Sequence, residues 1–176
     1  MGPGRDVHIE TEAETMRYAM HPFLCAAMLL VPSLVGCGVS PAEHAYNQGL
    51  IAIDKKDFDL AATWFTEAIR LKPDDAKAYG GLGFAHAHNG DHDKAIADYT
   101  EAIRLKPDYV EAYDARGSSY GSKGDFAKAI ADETEAIRLV PNDPRHYKNR
   151  ALAYDKKGEK SKAEADRAEA KRILGQ

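Results

Sequence analysis

Cysteine is nearly absent, with two in 176 residues, and the two do not stand at metal-ligand spacing. Neither a disulfide scaffold nor a thiolate zinc site therefore organises the chain. Positive charge is not in excess either: 24 Lys and Arg stand against 28 Asp and Glu. That excludes the general attraction to phosphate backbones on which basic nucleic-acid binders depend, and no nucleic-acid partner is expected. No apolar run reaches the roughly 20 residues of a membrane-spanning helix, since the uncharged run from Phe23 to Val35 is short and contains Pro32. Also missing are a Gly-rich phosphate loop, a Gly-x-Ser-x-Gly nucleophile and a His-Glu-x-x-His zinc motif, so no catalytic residues, no cofactor and no enzymatic role are indicated.

What is present is unevenly spread. Residues 18–42 carry no Asp, Glu, Lys or Arg, residues 42–141 carry 12 basic and 18 acidic side chains, and residues 142–176 carry 10 basic and 6 acidic. The chain thus has an uncharged leader, an acidic body and a basic tail. A hydrophobic share of 44% with only 8 prolines is that of a folded domain rather than a disordered one.

The leader has the layout of a secretory signal peptide: Arg17, then the apolar run, then small residues at Gly36-Cys37-Gly38. Leu34-Val35-Gly36-Cys37 resembles the lipobox of bacterial lipoprotein signal peptides. The resemblance implies a lipidated Cys37 as first mature residue, a lipid anchor in a membrane facing the periplasm or exterior, and residues 37–41 as a tether. Residues 1–15 hold four acidic side chains where such a peptide carries positive charge, so translation is expected to start at Met16, with residues 1–15 a misassigned start or an extension and 16–36 the signal peptide. Cys25 would be removed with the leader.

The body repeats. Thr66-Glu-Ala-Ile-Arg-Leu-Lys-Pro73 recurs at 100–107 and, with Val140, at 134–141, placing prolines 73, 107 and 141 at a spacing of 34. The two middle units show an aromatic, a Leu-Gly or its equivalent, then Ala, a second aromatic place and Pro: Tyr79, Leu82-Gly83, Ala95, Tyr99 and Pro107 in one, and Tyr113, Arg116-Gly117, Tyr120, Ala129, Glu133 and Pro141 in the next. Gly90-Asp91 and Gly124-Asp125 read as mid-unit breaks, glycine closing one helix and aspartate capping the next; Asp108 with Glu111 reads as a capping box. This pattern resembles the tetratricopeptide repeat. The resemblance covers residues 42–176 as four units, 42–75, 76–109, 110–143 and 144–176, and implies an all-α superhelix, or solenoid, of stacked helix-turn-helix pairs. Glu159 to Leu174, charged around a stripe of Ala163, Ala170, Ile173 and Leu174, reads as its closing cap.

Some buried slots depart from the pattern. Arg116 and Arg150 stand at the usual Leu place, Glu133 and Arg167 at the second aromatic place, and Asp98, Asp132 and Asp166 recur at one phase. The expectation is a ladder of Arg–carboxylate pairs running between units, because an unpaired buried charge costs several kcal/mol. His86, His88, Asp91, His92 and Asp93 cluster in sequence, but His86 and His88 are two apart on a helix and diverge, so no metal site is expected there.

The resemblance further implies a peptide-binding groove lined by the first helix of each unit. By repeat position it includes Tyr46, Asn47, Leu50, Lys77, Phe84, His88, Asp114, Ser118, Arg145, Lys148 and Asn149. The Lys/Asn carboxylate clamp of chaperone-binding relatives is not expected, since Tyr46, Leu50, Gly81, Glu111 and Ala115 hold those places. The function implied is a non-catalytic envelope adaptor that holds another protein or peptide. The alternatives are a soluble exported or cytosolic scaffold and, from another class, an enzyme regulator or metal-binding protein using His86, His88 and His92.

Overall fold

The computed structural model describes residues 38–175; the leader, the lipobox with Cys37 and the expected start at Met16 lie outside them. Among the described residues there are eight α-helices and no strand: α1 (Pro41–Asp54), α2 (Phe58–Leu71), α3 (Ala76–His88), α4 (His92–Leu105), α5 (Val110–Ser122), α6 (Phe126–Leu139), α7 (Pro144–Lys157) and α8 (Lys160–Leu174). The even helices start at 58, 92, 126 and 160, the 34-residue period of the sequence made structural. Each helix packs on the next in chain order, and α1 also touches α3, and α3 touches α5. No comparable contact joins α2 to α4 or α4 to α6, so the odd helices line the tight inner side of the stack. No described helix is long and apolar enough to cross a membrane.

Helix ends follow local chemistry. Gly90, Gly124 and Gly158 stand between paired helices with φ of 83°, 81° and 83°, the left-handed conformation that glycine adopts at little cost. The first unit places Lys56 there at φ 59°, a residue with a Cβ that opposes it. At helix starts, Asp57 accepts from the Leu60 amide, Asp75 from those of Lys77 and Ala78, Asp125 from Lys128 and Asp143 from Arg145. Ser40 accepts from the Glu43 amide and Pro41 is already helical, so helix begins at the last residue of the expected tether.

Two caps expected from sequence do not form. Asp91 makes no capping bond and is held by Lys94 instead, at 2.8 Å. Asp108 and Glu111 form no capping box, because the residue that precedes α5 is Tyr109, at the phase where neighbouring units have Asp75 and Asp143. Its ring packs instead over Gly80 and into the second core cluster.

The core is a row of small layers. Ala52, Ala61, Phe65, Leu82 and Ala85 form one, and Ala95, Tyr99, Ala102 and Ala112 the next. In each, an aromatic ring from an even helix lies against bare glycine backbone of an odd one. A Cβ added to Gly49 would lie 2.7 Å from the Phe65 ring, one on Gly81 2.6 Å from it, and one on Gly83 2.8 Å from Tyr99. Gly49 shares a unit with Phe65, whereas Gly81 belongs to the next, so one ring closes a unit and joins it to its neighbour. Polar clamps repeat in phase with these layers: Asn89 donates to Asp59 at 2.7 Å, and 34 residues later Lys123 pairs with Asp93. At the end of the stack α8 buries Ala163, Asp166 and Ala170 and exposes its other faces; Ile173 is half-buried, but Leu174 is exposed and lies outside the inner stripe.

Gly81→Ala should destabilise the fold by about 1–3 kcal/mol through overpacking on Phe65. Gly121→Ala, on the same type of helix with nothing within 4 Å of the new Cβ, should be neutral or stabilise by up to about 1 kcal/mol through helix propensity. Urea unfolding of the two variants checks the contrast, and equal losses would show that the ring–glycine contact does not hold the layers.

Candidate functional site

The charged residues in the core slots do pair, but not as a ladder between units. Arg116 donates through Nε and Nη2 to both carboxylate oxygens of Asp132 at 2.9 and 2.7 Å, and Arg150 does the same to Asp166 at 2.8 Å each. Each pair lies within one unit, because the Leu slot of an odd helix faces the even helix it is hairpinned to. What crosses the joint is the remaining guanidinium nitrogen: Arg116 Nη1 donates to Thr100 Oγ1 at 3.0 Å and Arg150 Nη1 to Thr134 Oγ1 at 3.1 Å. Asp98 has no arginine, since Leu82 stands at that place, and His86 Nδ1 meets it at 2.7 Å instead. Arg167 turns outward to Asp155.

The joint between the third and fourth units is built differently from the first two. Glu133 stands at the phase of Phe65 and Tyr99 and is buried, 3% exposed. His146 of α7, 1% exposed, stands at the phase held by Ala78 and Ala112. The two meet across the joint, with His146 Nδ1 3.1 Å from Glu133 Oε2 and 3.6 Å from Asp114 Oδ1. Asn149 donates to Asp114 at 2.8 Å, a further link between α7 and α5. His146 Nε2 is buried without a hydrogen-bond partner, and lies 3.8 Å from Asp143 Oδ2. Arg145 holds that Asp143 carboxyl down to about 2 by its hydrogen bonds. Glu133 is pushed the other way, up to about 9, by burial first and then by the Asp114 carboxylate beside it, with Asp132 adding to the effect and Asn149 opposing it.

Because Glu133 is slimmer than the rings it replaces, a cavity of about 330 Å³ opens on the groove side. Gly117, Ser118 and Gly121 of α5, Glu133 of α6, and Asn149 and Leu152 of α7 are among its walls. Sequence reasoning marked Glu133 as a departure and Asp114 and Asn149 as groove residues, but it missed His146. The available signal was paired: in adjacent units, at facing slots, an aromatic becomes Glu and an Ala becomes His.

The groove residues divide into free and engaged. Asn47, Leu50, Lys77, Phe84, His88, Ser118 and Lys148 are exposed, and so is Asn149, whose amide is nonetheless engaged with Asp114. Tyr46 is half-buried against Phe65, with ring centroids 5.6 Å apart, and serves the core. Asp114 is taken up by Asn149 and His146, and Arg145 is folded onto Asp143 at 2.6 Å. At the other end, His88 stacks on Phe58 with centroids 4.5 Å apart and leans on Phe84 at 4.3 Å, forming one aromatic patch. His86 and His88 diverge, and His92 joins neither, so these three do not converge on a common point.

The proton on Glu133 makes stability depend on pH. In the folded chain it is held to about pH 9, whereas unfolding returns it to the ordinary value of 4.5, so the folded state binds more protons between these values and stability falls as pH rises through that window. In chelator-treated protein the thermal midpoint should therefore drop by roughly 5 °C or more from pH 5 to pH 9. Glu133→Gln, which mimics the protonated acid, should remove most of that drop; thermal unfolding by circular dichroism checks it, and an equal drop in the variant would contradict it.

A tetratricopeptide-repeat family model matches residues 46–110 and 115–175. Among solved structures, a crystal structure of MamA is 27% identical with a TM-score of 0.75, over 77% of this chain and 79% of that one. A MamA MSR-1 structure is 20% identical, TM-score 0.69, over 77% and 78%. The TPR domain of Arabidopsis OM64 is 24% identical, TM-score 0.63, over 65% and 94%. At their identities the last two speak for the fold alone, and no curated protein sequence matches. With its family model, its 34-residue phase and the eight paired helices among the described residues in agreement, the chain belongs to the tetratricopeptide-repeat family and has the architecture of a protein-interaction scaffold.

Proposed function

We propose that the protein is a lipid-anchored adaptor of the bacterial cell envelope that captures a peptide or helical segment of another protein on the face formed by its odd helices. The observation that carries the binding half is the Phe58–Phe84–His88 patch. Phe84 is 40% exposed on the inner helix α3, and its neighbour His88 is also exposed. A large apolar ring held outward by stacking, with Leu50 exposed at the same phase of the first unit, is the kind of surface that anchors an apolar side chain of a partner. The anchor half is supported by the leader: Arg17, the apolar run and Leu34-Val35-Gly36-Cys37.

One experiment in cells addresses both halves. Crosslinking pull-downs and labelling with a palmitate analogue are compared for wild type, Phe84→Ala and Cys37→Ser. Phe84→Ala should lose the crosslinked partner, with affinity down about ten-fold or more, yet keep its label and membrane fraction. Cys37→Ser should lose both label and membrane fraction. An unlabelled, soluble wild type would sink the anchor, and an undiminished partner in Phe84→Ala would place binding off this face.

A further inference from the structure

We propose that Asp114, Glu133 and His146 form a binding site for one divalent transition-metal ion, with Zn²⁺ as the probe, and that the ion clamps the third repeat to the fourth. The three side chains come from three successive helices, α5, α6 and α7, and one donor atom from each lies within 4.8 Å of the other two. Nδ1 of His146 is 3.1 Å from the Glu133 oxygen and 3.6 Å from the Asp114 oxygen. Donors bound tetrahedrally at about 2.1 Å stand about 3.4 Å apart, so small side-chain adjustments suffice. One nitrogen and two carboxylates form a donor set that zinc accepts with a fourth position left for water, and Glu133 also lines the neighbouring cavity, which offers an entry path.

Two further observations point the same way. The cluster sets two carboxylates side by side in a buried joint, a like-charge contact that a cation relieves and that otherwise calls for a shared proton. Then there is the orphaned Nε2 of His146, whose nearest acidic atom is Asp143 Oδ2 at 3.8 Å. If a proton sits on Nδ1 alone, Nε2 is a bare lone pair turned towards a carboxylate. If Nδ1 binds a metal, Nε2 must carry the hydrogen, and Asp143 becomes the outer carboxylate that metal-bound histidines usually address. The site lies at the third joint, away from the Phe58–Phe84–His88 patch, and it is not the His86, His88 and His92 set, which does not converge.

The test uses chelator-treated full-length protein in equilibrium dialysis against Zn²⁺, with long-range ¹H–¹⁵N spectra of the histidine rings. Wild type should take up one equivalent, with Nδ1 of His146 shifting on binding. Affinity should fall about ten-fold or more in Asp114→Asn and in Glu133→Gln, each checked for fold by circular dichroism. Zn²⁺ should raise the unfolding midpoint of wild type and not of the variants. The proposal is overturned by substoichiometric uptake in wild type, by unchanged affinity in folded Asp114→Asn, or by ring shifts confined to other histidines. The last two readouts do not depend on Glu133→Gln being able to fold.

Discussion

The stack depends on rings lying against backbone that has no side chain. Phe65 is pinched between Gly49 of its own unit and Gly81 of the next, closer than any Cβ would permit, whereas Tyr99 repeats the first contact on Gly83 of its own unit and joins the next unit through the cluster with Ala112 and Ala115. A pair of 14-residue helices cannot cover its apolar stripe alone, and the ring is what carries one unit's burial into its neighbour's. The rest follows from that spacing. Alanines fill most places in the layers around each ring, where the helices approach closely, and the Asn89–Asp59 and Lys123–Asp93 clamps fall at one phase because the joints they cross are copies.

The third joint shows what happens when the ring is withdrawn. Glu133 stands in its place, Gly117 still presents a bare backbone, and the vacated volume appears as a cavity open to the groove. Hydrophobic burial there gives way to a polar cluster whose members come from both units, and the Arg116 and Arg150 pairs thicken the polar character on either side. A buried polar joint is worth much when every group is satisfied and little when one is not. The protein therefore has two ring-packed joints and one whose strength is set by what occupies Glu133 and His146, proton or cation.

Much of this was legible in the sequence because it is periodic. Three copies of one octapeptide at a spacing of 34 dictate the helix count, the pairing and the inner face, and Gly90 and Gly124 mark the turns. What escaped was whatever depends on which slot faces which. Asp108 looked like a cap until Tyr109 proved to precede the helix. Arg116 looked like a bridge between units until its hairpin partner Asp132 proved nearer, and His146 carried no signal alone because a histidine in an alanine slot matters only if a carboxylate faces it. Of the groove residues, Phe84 and His88 lie exposed as repeat position suggests, while Tyr46, Asp114 and Arg145 are claimed by neighbours that period alone does not reveal.

The joint between the third and fourth units lies apart from the aromatic patch of α2 and α3. The central claim is that this joint, unlike the others, is held by a titratable polar cluster. Residue-resolved amide hydrogen exchange of chelator-treated protein at pH 6 and pH 9, corrected for intrinsic rates, measures it most directly. The account predicts that α7 and α8 lose protection together at the higher pH while α2 to α4 keep theirs. A uniform change across all eight helices, or loss that begins at α1 and α2, would contradict it.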